Sequence, residues 1–400
     1  MIRFINLYLL VAPLLLSTFF SITAYSEDTT KKPNNAYQQH TSTLNSKILK
    51  EQRRITVQLP KSYLSKPDKQ YPVIYRLDGA GNLPLMTAVL ESLQDANAAP
   101  EVIIVVIENT DRLRDFTPTV NQDPRGPVNL GGGAAKFLEF IESELIPFVN
   151  TKYRTHDFKI ISGASIGGVF SLYALQSKPA LFQAHIAYSP AVWWDYGAPA
   201  NTTKAFLADS TNLNSYVYMN IGEESGFMRD IYDDMDQFMS SNTPKGLTLI
   251  SDAFNQVPHA LTFTAGIFNA YQNLFLPIWM PPREYTGQTY SIINYYQKLS
   301  EQYGETISPP EWVVRELGYH FVNKNDLASA IAVFKFDITL YPDTADSYNG
   351  LAYGYEKNGQ FKASLEQVNK ALSLSKEGDD GYDVYVRRQE RLLQQMKQKK

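Results

Sequence analysis

A chain of 400 residues has room for two or three domains, each with its own core. Its 37 Lys and Arg against 41 Asp and Glu leave a formal net charge of −4, which gives no electrostatic footprint for nucleic acid. Cysteine is absent, so disulfides, a thiolate nucleophile and cysteine-based metal sites are excluded.

At the start, Arg3 supplies a positive charge, residues 5–20 are mostly apolar, and Ala24-Tyr25-Ser26 forms a small-x-small cleavage site before Glu27. This pattern predicts a signal peptide over 1–26, and with it a periplasmic or secreted protein. No later stretch is long and apolar enough to span a bilayer. Residues 27–45 are polar and rich in Thr and Asn, and read as a flexible lead-in. Strands are then expected at 54–59, 71–77, 102–107, 158–162, 184–188, 216–221 and 247–253. Helical patterns fall at 83–96, 134–150, 169–176 and 262–274. The run Val102-Ile103-Ile104-Val105-Val106-Ile107 is continuously apolar, as a strand covered on both faces must be. Alternating strands and helices predict βαβ units, an α/β class with a mainly parallel central sheet, over 46–280.

Residues 281–310 read as a linker carrying one helix near 290–303. Beyond it, Leu317 and Leu351, Asn325 and Gly359, Ile331 and Leu365, and Phe334 and Val368 are each 34 residues apart. That helix–turn–helix period is the tetratricopeptide signature, expected over 311–400 with a charged helix from 383 as cap. Two repeats fall short of the three or so that stand alone. They are therefore expected to lean on the preceding domain, on the 290–303 helix or on a partner protein.

The chemistry centres on Gly163-Ala164-Ser165-Ile166-Gly167, which follows an apolar run and precedes a helical one. A serine hydroxyl is a weak nucleophile near neutrality and must be presented beside a base. A strand turning sharply into a helix puts Ser165 at the tip, and the glycines let the two segments pass closely. This is the nucleophile elbow of an α/β-hydrolase, where serine, acid and histidine follow in that chain order. Of the five histidines, His40 and His156 precede Ser165, His185 opens an expected strand and His320 lies in the first helical repeat. His259, on a loop between a strand and a helix, remains as the base. For the acid, Glu223, Glu224 and Asp230 follow the 216–221 strand, with Asp252 more distant, and Glu224 is favoured. The oxyanion donors are expected to be the N–H of Ile166 and that of Gly79 or Ala80, in the loop after the 71–77 strand.

Several stretches together carry a family resemblance. They are Ser46-Lys47-Ile48-Leu49-Lys50-Glu51-Gln52-Arg53, Tyr71-Pro72-Val73-Ile74-Tyr75-Arg76-Leu77-Asp78-Gly79 and Arg114-Asp115-Phe116-Thr117-Pro118. Gly163-Ala164-Ser165-Ile166-Gly167-Gly168, Ser189-Pro190-Ala191-Val192-Trp193-Trp194, and Ile221-Gly222-Glu223-Glu224 followed by His259 complete the set. Over about residues 45–280 the chain resembles the esterase branch of the α/β-hydrolases, which includes siderophore esterases, esterase D, feruloyl esterases and mycolyltransferases. Its nearest likeness is to exported bacterial members with C-terminal tetratricopeptide repeats. The resemblance implies a serine esterase with Ser165 as nucleophile, His259 as base and Glu224, two residues after Gly222, as acid. It also implies a cleft walled by 109–129 and 189–200, with Arg114, Trp193 and Trp194 near the substrate; Arg112 and Arg125 are the other cations on the first of these loops.

The expected activity is hydrolysis of a small or siderophore-like ester through an acyl-enzyme, with no metal or organic cofactor. An acyltransferase working from the same site, and a degenerate hydrolase fold whose repeats dock a protein partner, are the alternatives.

Overall fold

The computed structural model describes residues 37–304 and 306–398; the expected signal peptide lies outside the described residues. The strands are β1 (Gln38–Ser46), β2 (Glu51–Leu59), β3 (Tyr71–Arg76), β4 (Ile103–Ile107), β5 (Thr155–Ala164), β6 (Ala184–Tyr188), β7 (Asn212–Ile221) and β8 (Lys245–Ala253). They form one sheet in the order β1-β2-β4-β3-β5-β6-β7-β8. β1, β2 and β4 pair antiparallel, and every pairing from β4 across to β8 is parallel. The central strands are apolar on both faces. Ile74, Ile104, Ile160 and Ile186 face one layer, while Val73, Val105 and Ile161 face the other.

Flanking the sheet are α1 (Leu83–Asp95), α2 (Arg112–Phe116), α3 (Ala134–Phe140), α4 (Ile146–Lys152), α5 (Ile166–Ser177), α6 (Trp194–Asp209), α7 (Phe227–Ser241), α8 (Thr262–Phe275) and α9 (Tyr290–Tyr303). α1, α8 and α9 share one core with the sheet, and α3, α4 and α5 share the other. α6 and α7 close over Val217 and Met219 of β7.

Three sequence expectations change. The lead-in expected to be flexible contains β1, an edge strand from residue 38. Its largely polar side chains hid it, because backbone pairing with β2 rather than a buried face holds it. The helix expected at 134–150 is interrupted by a π-turn, Ile141–Leu145, between α3 and α4. Pro147 sits in the first turn of α4 and cannot donate a backbone bond to the preceding turn. Of the 189–200 stretch expected to wall the cleft, residues from 194 on belong to α6, which is broken near its start at Asp195, Tyr196 and Gly197, all at positive φ. Burial of Ala200 and Leu207 overrides the weak helical signal of that polar segment.

The C-terminal helices are α10 (Glu311–Asn323), α11 (Leu327–Leu340), α12 (Ala345–Lys357), α13 (Phe361–Ser373) and α14 (Tyr382–Gln398). α10 and α12 begin 34 residues apart, as do α11 and α13. Phe334 of α11 packs against Gly318 of α10, where an added Cβ would lie 2.4 Å from its ring. The arm is fastened rather than tethered. Trp279 meets Trp312 edge-on at 4.6 Å, Tyr285 packs on Phe321 at 4.9 Å, and Tyr303 of α9 meets Phe158 of β5 at 5.0 Å. Val313, Val314, Leu317 and Val333 belong to the same apolar core as the sheet. From residues 281–310, Tyr285, Ile292, Tyr296, Leu299 and Tyr303 belong to that core as well. Among the described residues no helix is long and apolar enough to cross a membrane.

Candidate active site

β5 runs straight into α5, and Ser165 is the single residue between them. Its backbone sits at φ 56°, ψ −118°, a strained position for a residue with a Cβ. Gly163 is obligatory here, because an added Cβ would lie 2.1 Å from the Gly167 carbonyl oxygen. Neighbouring segments hold the tip. Ser165 N–H donates to Tyr188 O at 2.8 Å, and Ala191 N–H donates to Ser165 O at 3.1 Å. Ser165 therefore stands at the carboxyl end of the parallel strands, where ligands of open α/β sheets bind.

The ends of β7 and β8 contribute the next two groups. His259 opens a short 3₁₀ turn before α8, and its carbonyl accepts from Thr262 Oγ1 at 2.8 Å. Its ring is about half exposed (48%), and Nδ1 lies 2.5 Å from Oε1 of Glu224, which is only 10% exposed. Burial pushes the Glu224 carboxyl up, but hydrogen bonds from Ser189 and His259 outweigh it and hold it below its ordinary value. Of the carboxylates weighed in the sequence, Glu223 and Asp230 are exposed. Asp252 instead accepts from Tyr218 Oη at 2.7 Å and Asn269 Nδ2 at 3.0 Å. His185 is fully buried, with Nδ1 3.1 Å from Ser215 Oγ, and burial pushes its pKa down to about 3. Among the described residues no direct hydrogen bond joins Ser165 Oγ to His259, as is common before substrate closes such a site.

For the oxyanion donors, Ile166 opens α5, where the first N–H groups have no intrahelical acceptor. Of the two loop donors expected after β3, Gly79 N–H is taken by Ile107 O at 3.1 Å. Ala80 opens the next 3₁₀ turn, so its N–H is not used by that turn. Arg112 ties this loop to the elbow. Its guanidinium donates to Asp78 Oδ1 at 2.5 Å, to Asp78 Oδ2 at 3.3 Å and to Ala164 O at 2.8 Å.

Arg114, expected at the cleft, has its guanidinium committed elsewhere. Nε donates to Asp115 at 2.8 Å and both terminal nitrogens donate to Glu51, next to the buried Arg53–Asp115 pair. Those contacts fasten α2 to β2; of the other cations on that side, Arg112 is held by Asp78 and Ala164 O, and Arg125 by Asp123 at 2.6 Å. Trp194 is buried, its indole N–H donating to Thr119 O at 3.0 Å, so it packs in the core. Trp193 is half-buried and meets Phe227 edge-on at 6.0 Å, with Arg125 4.1 Å over the Phe227 ring.

Sequence reasoning gave no role to Ser189. Its hydroxyl donates to Glu224 Oε1 and lies 3.2 Å from His259 Nδ1. The Ser-Pro pair after β6 was visible as a motif, but only the sheet order places it beside β7. Arg76, fully buried beneath the elbow, was equally unassigned; it donates to Ser162 Oγ at 3.2 Å and lies 4.5 Å over the Phe263 ring.

The family model described as "Putative esterase" matches residues 46–250. The uncharacterized protein YbbA of Bacillus subtilis is 27% identical over 179 residues, 44% of this chain and 69% of that one. The ferri-bacillibactin esterase BesA of Bacillus subtilis is 33% identical over 162 residues, covering 36% of this chain and only 56% of BesA. The crystal structure of an IroE-like serine hydrolase from Shewanella oneidensis superposes with a TM-score of 0.62 at 25% identity, covering 76% of this chain and all of that one.

Proposed function

The chain belongs to the Esterase family of α/β-hydrolases, and from that premise we propose that it hydrolyses a carboxylic ester through a Ser165–His259–Glu224 triad. The observation that carries this is the 2.5 Å contact between His259 Nδ1 and Glu224 Oε1, at the same sheet end as a serine on a strained strand-to-helix tip. Ser165 Oγ attacks the ester carbonyl while His259 Nε2 takes its proton. The tetrahedral oxyanion is held by the N–H groups of Ile166 and Ala80. Collapse expels the alcohol, protonated by His259, and leaves an acyl-enzyme. Water then attacks with His259 again as base, releasing the acid and restoring Ser165. Glu224 accepts a hydrogen bond from the Nδ1–H throughout, fixing the tautomer and stabilising the imidazolium.

The substrate class is a small or siderophore-like ester, supported by the 33% identity to a relative named as a ferri-bacillibactin esterase. Trp193 and Phe227 offer an aromatic surface for it, with Arg125, paired to Asp123, lying over the Phe227 ring. The leader-like start supports export, and the 34-residue spacing of the C-terminal helix pairs supports a tetratricopeptide-like arm that offers a protein docking face.

Purified Ser165→Ala should lose p-nitrophenyl acetate hydrolysis by on the order of 10³-fold or more and fail to react with a fluorophosphonate probe. Unchanged turnover in the folded variant rejects the mechanism. A panel of alkyl, aryl and catecholate-siderophore esters identifies the substrate class, and hydrolysis confined to short alkyl esters rejects the siderophore-like one.

A further inference from the structure

Resting on the triad proposed above, we infer that Ser189 is a fourth, positioning member of the site, acting on the reaction through Glu224. Its hydroxyl donates to Oε1 of Glu224, the same oxygen that receives His259 Nδ1 at 2.5 Å. Ser189 Oγ also lies 3.2 Å from His259 Nδ1, so its lone pair faces the ring N–H. Three groups thus meet at one carboxylate oxygen, while Glu224 Oε2 is buried without a hydrogen-bond partner. The ionisable group facing Glu224 is His259, so Ser189 supplies a neutral donor at the oxygen that orients the base.

The placement of Ser189 is itself built. It follows β6 at φ 41°, a left-handed conformation that a serine adopts only when its surroundings impose it. Ser189 N–H donates to both Asn220 O, at 3.0 Å, and Asn220 Oδ1, at 2.9 Å. Asn220 is fully buried in β7, and its Nδ2 donates to Thr262 O at 2.9 Å. Thr262 Oγ1 in turn holds the His259 carbonyl. One side chain therefore sets the backbones on either side of the Glu224–His259 contact. The hydroxyl of Ser189 then selects which carboxylate oxygen points at the imidazole.

The full chain, with p-nitrophenyl acetate as probe, tests this through Ser189→Ala, Ser189→Gly, Glu224→Ala and Ser189→Ala combined with Glu224→Ala. Ser189→Ala should lower kcat about 10-fold with KM within twofold, as for loss of a hydrogen bond to a charged group. The acid limb of its kcat/KM profile should move to higher pH, because a carboxylate that loses a donor protonates more readily and holds the imidazolium more tightly. Ser189→Gly relieves the positive φ yet removes the hydroxyl, so it should match Ser189→Ala. In the Glu224→Ala background the Ser189→Ala change should alter kcat by less than twofold. Wild-type rate and pH profile in Ser189→Ala, recovery in Ser189→Gly, or full additivity in the double variant each overturn the inference. Ser165→Ala run in parallel separates the two levels: if it stays active, the triad fails rather than the role of Ser189.

Discussion

Nδ1 of His259 lies 2.5 Å from Oε1 of Glu224, although the two residues are 35 apart in the chain and end different strands. Neutralising that carboxylate tests the contact most directly. Glu224→Gln should lower kcat by about 10²- to 10⁴-fold with little change in KM, because the tautomer and the imidazolium lose their partner. The carboxyl is held below its ordinary 4.5, so its contribution to stability is present above that pH and is lost as pH falls through the depressed value. Wild type should therefore be more stable than the glutamine variant at pH 7, and urea unfolding should find the gap closing as the pH falls below that ordinary value.

Arg112 joins the Asp78 loop to the carbonyl of Ala164, the residue before the proposed nucleophile. Removing the clamp leaves both proposed oxyanion-donor segments free to drift. Arg112→Ala should lower kcat by about 10- to 100-fold, the equivalent of a charged hydrogen bond, while the protein stays folded because Arg112 is one-third exposed. Arg112→Lys should not restore the rate, since one ammonium cannot reproduce the forked donation to Asp78 and Ala164. Steady-state kinetics with circular dichroism as a folding control decides this, and a lysine variant at wild-type rate would contradict it.

Asp337 is fully buried in α11, and burial, aided by Glu311 and Asp346 and opposed by the Ser347 hydroxyl and Arg315, pushes its carboxyl pKa up to about 7. The folded protein binds this proton more tightly than the unfolded chain, whose ordinary value is 3.8. Stability is therefore greatest below about pH 4 and declines toward pH 7 by up to about 1.4 kcal/mol per unit from this group. Asp337→Asn should remove that slope and stabilise the protein at pH 8. Urea unfolding from below pH 4 to pH 8, monitored by helical circular dichroism, should find the variants nearly equal at the acid end and increasingly separated as the pH rises toward 7.

Tyr303 of α9 is fully buried between Phe158 of β5 and Phe275 of α8. Truncating such a side chain in a packed core costs about 3–5 kcal/mol. Tyr303→Ala should accordingly lower the melting temperature of the whole chain, with loss of esterase activity and loss of helix signal coinciding. Helix melting well below the loss of activity would show that the C-terminal arm unfolds alone.

The chain order of apolar strands and helices, the strand-to-helix tip at Ser165 and the choice of His259 as the eligible histidine follow from residue pattern alone. A strand covered on both faces reads as an apolar run, and an elbow needs Gly163 for a reason of contact distance that leaves little latitude. The 34-residue helical spacing is equally local, since equivalent residues must recur at equivalent contacts. Other features depended on what lies next to what. β1 carries a largely polar pattern and is a strand only because β2 offers it an edge. Glu223, Glu224, Asp230 and Asp252 are chemically alike, and only the paths of β7 and β8 bring Glu224 to the imidazole. Arg114 sits in a family-like motif, yet Glu51 and Asp115 take its guanidinium. Ser189 met the same carboxylate only when β6 was laid against β7. Sequence pattern records which side chains must be buried and where the backbone must bend. Hydrogen-bond partners remote in the chain are chosen by strand order, which no local pattern encodes.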